Sequence, residues 1–506
     1  MKPTRIPQHF ALSHKLRSHG KLFSVLCVLT LLSFSMACGN SNSSGNPPTT
    51  GKFSNASLKG SYAYNMSGSY FGLQSGNGDF REAGVFTADG NGNITSGTDD
   101  FVQGSTPGSF GSNGTYFINN DGTGGITLNV AGGQVNFALT IVNDSQAYLI
   151  EFDSFANGAG IAERQDTTAL SATPSGTFVF RTHSTSTSQG SISTVGAITI
   201  SGGAVSGAAD TLQASALTSP ILTGSFSAPT SDGRGTASLS TNTGTTYSYI
   251  YYVVNANTLN LLEADAGPLG IGRAEKQSAT SFSNASLKGP FAFGSRGDTS
   301  ANILGVNSAG SFTSDGNGTI TAGSYDSVQD GNVIANAALT GTYSMTSNGR
   351  ATVTLTPAGQ SATSEIFWMV SNSRAFFLVN TPSRVEDGTL DQQQSTSFAT
   401  SSFNGQYAFF MDGFDSLNPL VDRVGNLLGD GKGNLTLNYS VNSAGSGNSV
   451  VLTGTYAVGA NGRLAGTVPN LTGAMILYLV SNNQGYMILG DTGAQVSGNA
   501  ALQTSP

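Results

Sequence analysis

The chain has 506 residues, of which only 10% are charged, while glycine alone takes 67 positions. That length holds roughly three to five domains of ordinary size. No window reads as a long amphipathic helix, so the composition is that of short strands and tight turns. Regular alternation of aromatic and β-branched residues argues against disorder.

In chain order, Lys2, Arg5, Lys15, Arg17 and Lys21 precede an apolar run from Leu22 to Met36. The run is too short and wrongly flanked for a transmembrane helix. It ends in Ser35-Met36-Ala37-Cys38, followed by Gly39-Asn40 and a Ser/Asn/Pro/Gly stretch to about Lys52. A small residue directly before a cysteine resembles the lipobox of bacterial lipoproteins. The resemblance implies a signal peptide over 1–37, a diacylated Cys38 as first mature residue, and a flexible linker over 38–52. Ser35 stands where that family usually has Leu, and an ordinary secretory signal cleaved near Ala37 is the competing reading. Cysteine usage favours the lipid. The chain has one other cysteine, Cys27 inside the apolar run, so the mature protein has no possible intrachain disulfide.

Removing 1–37 takes five of 21 basic residues and none of 29 acidic ones, leaving about −13. Such a surface repels nucleic acid and anionic membranes. The expected membrane contact is the N-terminal lipid, and no nucleic-acid partner is expected.

Four units follow, at 53–166, 167–280, 281–396 and 397–506. Each opens with Gly before an aromatic strand: Gly60 to Tyr64, Gly176 to Phe180, Gly289 to Phe293 and Gly405 to Phe409. Residues 53–60 (FSNASLKG) recur unchanged at 282–289. A turn comes next, as Asp89-Gly90-Asn91-Gly92, Asp315-Gly316-Asn317-Gly318 and Asp430-Gly431-Lys432-Gly433, reduced to Ser201-Gly202-Gly203 in the second unit. Gly114-Thr115-Tyr116 and its counterparts at 224–226, 341–343 and 454–456 come next. A second turn follows at Asp121-Gly122, Asp232-Gly233, Asn348-Gly349 and Asn461-Gly462. Asp-Gly and Asn-Gly are hairpin signals, because these residues tolerate positive φ.

Period-two alternation, as in Val135, Phe137, Leu139 and Ile141, predicts antiparallel sheet with one buried face. For the first unit the strands are expected near 61–68, 79–88, 93–103, 114–120, 125–130, 134–143, 146–153 and 159–165. Short sequential links make an all-β meander, favouring eight-stranded up-and-down β-barrels, with two-sheet β-sandwiches as the alternative. The strand plan resembles lipocalin and avidin barrels in shape only. The lipobox, the aromatic openings, the Asp-Gly-Asn-Gly turns and the Ala-Glu-Arg/Lys-Gln endings at 162–165 and 274–277 resemble exported repeat lipoproteins of acidobacteria. The third and fourth units depart at that ending, with Asp391-Gln392-Gln393-Gln394 and Ala501-Leu502-Gln503. The resemblance implies location and architecture and no activity.

Catalytic chemistry is narrowed mostly by exclusion. His183 is the single histidine beyond the signal segment, which removes two-histidine metal sites, and it reads as a solvated turn residue. Glu151 and Asp153 share a strand face that reads as solvent-exposed, whereas adjacent Asp99 and Asp100 face opposite ways. Calcium is the sharper cofactor candidate, because Asp89, Asn91 and Asn93 offer hard oxygens along a Gly-rich turn, and Asp315 and Asn317 repeat it. The competing reading is an Asp that caps its own turn. Tyr62, Tyr64, Phe137, Tyr148 and Phe152 read either as a packed core or as the lining of a ligand-holding calyx. The favoured function is a non-enzymatic structural, adhesive or binding protein at the cell surface, with a polysaccharide or surface protein as partner. A carrier of small apolar ligands is the alternative, and a glycosidase comes last.

Overall fold

The computed structural model describes residues 53–505, apart from 71–77, 104–105, 131–132, 187–189, 214–215, 266–267, 300–304, 382–383, 416–417, 470, 472 and 492–493. The signal segment, Cys38 and the linker lie outside the described residues.

The first unit is β1 (Lys59–Tyr70), β2 (Gly78–Asp89), β3 (Asn93–Gln103), β4 (Thr106–Ile118), β5 (Thr123–Val130), β6 (Gly133–Asn143), β7 (Gln146–Glu151) and β8 (Ala156–Arg164). Each pairs antiparallel with the next, and β8 returns to β1 with Tyr62 opposite Arg164, closing an eight-stranded barrel. The sandwich alternative is thereby excluded.

The second unit is β9 (Gly176–Ser186), β10 (Gly190–Ser201), β11 (Ala204–Gln213), β12 (Ala216–Thr218), β13 (Ile221–Phe226), β14 (Arg234–Thr241), β15 (Thr246–Asn255), β16 (Thr258–Glu263) and β17 (Leu269–Lys276). β10 pairs with both β9 and β11, and β17 returns to β9. Eight strands therefore close here too, with the three-residue β12 added beside β11. The third barrel runs from Lys288–Thr299 to Arg384–Gln392, and the fourth from Asn404–Asp415 to Ala494–Leu502.

The turns follow from local chemistry. Asp89 accepts hydrogen bonds from the Asn91 and Asn93 amides and from Asn93 Nδ2, while Gly90 and Gly92 supply φ of +84° and +108°. A 3-10 turn leads into the first, third and fourth barrels, at Asn55–Ser57, Asn284–Ser286 and Thr400–Ser402. The tyrosine of each Gly-Thr-Tyr landmark staples it: Tyr116 donates to Leu58, Tyr343 to Leu287 and Tyr456 to Phe403. Phe226, with no hydroxyl, holds this place in the second barrel.

Inward side chains fill the barrels. Tyr62, Tyr64, Phe86, Phe137, Leu139 and Leu149 pack the first, and equivalent clusters pack the others. The outward faces are not uniformly wet, which corrects the expectation of one buried side. All six residues of β16 are buried, because the barrels bury their outer walls against each other.

Four apolar joints link first to second, second to third, third to fourth, and fourth back to first. Val85 and Ala83 meet Tyr252 and Leu262; Val195 and Leu212 meet Trp368 and Phe376. Ala292 and Ala309 meet Tyr478 and Ile488; Phe410 and Val424 meet Tyr148 and Ile150. The barrels therefore form a closed ring. Tyr148 and its neighbour Phe152 face a joint, unlike Tyr62, Tyr64 and Phe137, which lie in the barrel core.

Candidate functional site

Each joint has a polar key. Gln165 Nε2 donates to the carbonyls of Asp232 (3.0 Å) and Val253 (2.7 Å) in the next barrel. Gln277 does the same to Asn348 and Met369, and Gln393 to Asn461 and Leu479. Gln503 closes the circle on Asp121 and Ile141 of the first barrel. In the irregular third and fourth endings, the glutamine is therefore the part that persists.

Three joints add an ionic triad. Arg234 forks onto Asp100, which also accepts from the Tyr252 hydroxyl. Arg350 forks onto Asp210 at 2.8 and 2.7 Å, with Trp368 Nε1 donating to the same carboxylate at 2.8 Å. Arg463 and Tyr478 converge likewise on Asp326. Register places Thr123 and Thr140 at the Arg and aromatic positions of the first barrel. Ser440, opposite Val424, takes the Asp position of the fourth. That seam is held differently: Asn442 Nδ2 reaches the carbonyls of Glu151, Asp153 and Ala156, and Asn426 reaches that of Asp121.

Where the four barrels meet, the first and last strands of each, with Ser308, Tyr486 and Met487 from adjoining strands, line a cavity of about 210 Å³. These strands alternate: Tyr62, Tyr64 and Met66 point into their barrel, so Asn65 and Ser67 point toward the cavity. The equivalent outward positions are Arg181 and His183, then Gly294 and Arg296, then Phe410 and Asp412, and all but Gly294 and Phe410 are polar. An unbroken polar chain crosses all four barrels here. Glu163 pairs with Arg273, Arg273 with Glu275, Glu275 with Arg374, Arg374 with Asp391, and Asp391 accepts from the Tyr486 hydroxyl. Arg296 pairs with Asp412 and donates to Ser67 across the ring at 3.1 Å.

His183 is not a solvated turn residue. It lies on β9 with its side chain only 15% exposed, Nδ1 2.8 Å from Asp387 and Nε2 3.2 Å from Asp298. Burial works against its charge, but the hydrogen bonds to the two carboxylates prevail and raise its pKa to about 9. Burial likewise opposes ionisation of Asp387 and Glu275. Their cationic neighbours outweigh it, His183 and Arg181 for Asp387 and Arg374 and Arg273 for Glu275, and both fall to about 2.

Glu151 and Asp153 are buried, against the solvent-side expectation. Glu151 points into the first barrel, where both its carboxylate oxygens lack a partner among the described residues, and Asp153 accepts from Asn136. Burial raises the Glu151 pKa strongly, and Glu82 and Asp99 in the same interior are raised for the same cause. Asp99 and Asp100 do part company, one inward and one into the joint with Arg234. Asp315 accepts from the amides of Asn317 and Thr319, as Asp89 does in its own turn. Among the described residues no group of three His, Cys, Asp or Glu side chains is placed to hold a metal.

The cavity was not legible in the sequence, because its residues lie on the outward parity of aromatic strands, which reads as solvent-facing. The available signal was failure of the repeat: Asn65, Arg181, Gly294 and Phe410 share one position yet no chemistry.

No family model matches the chain, and no curated protein matches it. Among solved structures, it is similar to intact Ap-TbpB (N and C lobes) at 7% identity and a TM-score of 0.18, over 65% of this chain and 75% of that one. A likeness of that size carries no functional argument.

Proposed function

We propose that this is a lipoprotein held to a bacterial membrane through Cys38, exported to the cell surface, where a ring of four β-barrels serves as a non-catalytic binding or adhesive platform. It is of the same kind as the acidobacterial repeat lipoproteins that its motifs resemble. The observation that carries the reading is where the ionic groups go. Among the described residues, eight arginines bridge one barrel to another, so charge assembles a scaffold rather than a reaction centre. The carrier alternative lacks room where interior space is described: the cavity beside Phe409, Arg423 and Met475 in the fourth barrel holds about 20 Å³. That is far below a ligand pocket of ~300–1,000 Å³.

The test has two arms. Cells fed an alkyne fatty acid should label the wild-type protein and not Cys38→Ala, and protease added to intact cells should cleave it. The purified protein should bind a surface polysaccharide or cell envelope. Absence of label sinks the anchor, and absence of any such binding sinks the platform.

A further inference from the structure

The cavity at the centre of the ring has a wall of defined polarity. In each arginine–carboxylate pair at its wall, the arginine side chain is the more exposed partner. Arg296 is 38% exposed against 16% for Asp412, and Arg181 33% against 2% for Asp387. Arg273 is 24% exposed against 17% for Glu163 and 12% for Glu275. Asp387 and Asp412 line the cavity too, each held by its arginine, while Glu163 and Glu275 fix Arg273 from outside the lining. Arg181 commits Nη1 to Asp387, and its buried Nε has no partner among the described residues. Asn65, Thr389 and Asn499 contribute neutral polar groups to the same wall.

Guanidinium recognises carboxylate and phosphate through its fork of donors. A group held by buried acids has already lost the rotamer freedom that binding would otherwise cost. The volume of about 210 Å³ lies below the ~300–1,000 Å³ of drug-sized pockets, which restricts the occupant to one small unit. Among the described residues, three arginines line this cavity, against one, Arg423, in that of the fourth barrel. We propose that the cavity binds a small oxyanion, a carboxylate or phosphate carried on a hydroxylated unit such as an acidic sugar, gripped by Arg181, Arg273 and Arg296. This deepens the platform reading by naming what one of its sites takes, and rests on it only for the biological source of the ligand.

The test is calorimetric titration and thermal unfolding of the full mature protein in detergent with sodium galacturonate and, separately, inorganic phosphate. Galactose and sodium chloride are the matched controls. Either oxyanion should bind and raise the midpoint by mass action, while galactose and chloride do not. Galacturonate alone binding assigns a sugar carboxylate, phosphate alone a phosphate-bearing unit, and either result supports the proposal. Arg181→Gln and Arg296→Gln should each weaken binding by about tenfold or more. Arg296→Lys, which keeps the charge beside Asp412, guards against mere misfolding and should weaken it less. The proposal is overturned if neither oxyanion binds at about 10 mM, a weak-affinity ceiling. It is equally overturned if galactose binds as well as galacturonate, or if both Gln variants retain wild-type affinity. Failure here leaves fatty-acid labelling and envelope binding untouched, so the two proposals fall separately.

Discussion

The side-chain amide of Gln503 donates to the carbonyl of Ile141 at 2.6 Å, across 362 residues of sequence. Gln165, Gln277 and Gln393 make the same contact at joints where the chain itself also crosses. At the seam between the fourth and first barrels the chain does not cross, and the glutamine clasp works with the apolar joint, the asparagine contacts, Gln406 on the Asp121 carbonyl and the Thr504 amide on Val142. Gln503→Ala is therefore expected to lower stability by about 1–3 kcal/mol, the cost of stranding the Ile141 carbonyl, since Asp121 keeps Gln406 and Asn426. It should also speed hydrogen exchange at the Thr504 amide, which bonds to Val142. Gln165→Ala should match the thermal loss without the faster exchange at Thr504. Equal exchange in the two variants would show that the seam is not the place where the ring opens first.

The same closure predicts tolerance of circular permutation. Phe53 and Gln503 both pack on Gly122, so the ends of the barrel assembly lie together at one turn. Joining them with a short flexible linker and opening the chain near Thr280, between the second and third barrels, should give a folded protein. Its unfolding midpoint should lie within a few degrees of the parent's. Failure of the permutant to fold, with the linker lengthened as a control, would place the ends further apart than the clasp implies.

Trp368 is the protein's sole tryptophan, and its indole N–H is bonded to Asp210 of the neighbouring barrel. Its fluorescence therefore reports on one joint. Asp210→Ala strands both Arg350 and Trp368 and is expected to cost about 3–5 kcal/mol, the usual result of breaking one side of a buried ion pair. Emission should move to longer wavelength as the indole meets water. Asp210→Asn keeps an acceptor and should fall between. An unshifted spectrum in Asp210→Ala would mean that apolar packing alone holds the joint.

The barrels were legible because hairpin chemistry is local. Asp-Gly and Asn-Gly turns and period-two alternation placed β1 to β8 within a few residues of their observed ends. β4 is the exception, starting at Thr106 rather than near 114. The ring was not legible. Ala83, Tyr252 and Trp368 differ from ordinary outward residues only in what another barrel puts against them, 150 or more residues away in sequence for Asp100–Tyr252 and Asp210–Trp368. His183 was misread for the same reason: its partners Asp298 and Asp387 belong to a different repeat. Glu151 was misread because polar residues on a barrel strand are taken to face water, and here a glutamate occupies an interior position.

Those buried acids set the direction of the pH dependence. Burial pushes Glu263 up to about 7 and Glu365 up to about 8, against ~4.3 for a free glutamate. Between those values the folded protein holds protons that the unfolded chain has released, so stability falls as pH rises through that window. His183, raised to about 9, contributes stability that is complete below ~6.5 and is lost as pH climbs through its folded value. Asp387 and Glu275, lowered to about 2, act oppositely, losing their contribution only as pH drops below the ordinary carboxylate range. The unfolding midpoint should thus peak in mildly acid solution and decline from pH ~5 to ~9. Glu365→Gln should flatten the decline between ~5 and ~8. A midpoint that holds level or rises over that range would contradict the assigned protonation states.

The Asp-Gly-Asn-Gly turns give the final prediction. The Asp89 carboxylate already accepts from the Asn91 amide at 2.7 Å, the Asn93 amide at 3.0 Å and Asn93 Nδ2 at 2.8 Å. The Asn93 side chain is the main cause that lowers its pKa to about 2. Asp315 and Asp430 repeat the two amide bonds. No further carboxylate comes to the first of these turns from its own hairpin, since Asp99 is inside the barrel and Asp100 is engaged by Arg234. A calcium ion would have to compete with the bonds that form the turn, with too few hard oxygens left to repay the exchange. Unfolding in millimolar calcium and then in excess chelator should therefore give the same midpoint. A calcium-dependent rise, by mass action on the native state, would instead make Asp89, Asn91, Asn93, Asp315 and Asn317 metal ligands. The rise should then disappear in the double variant Asp89→Ala, Asp315→Ala.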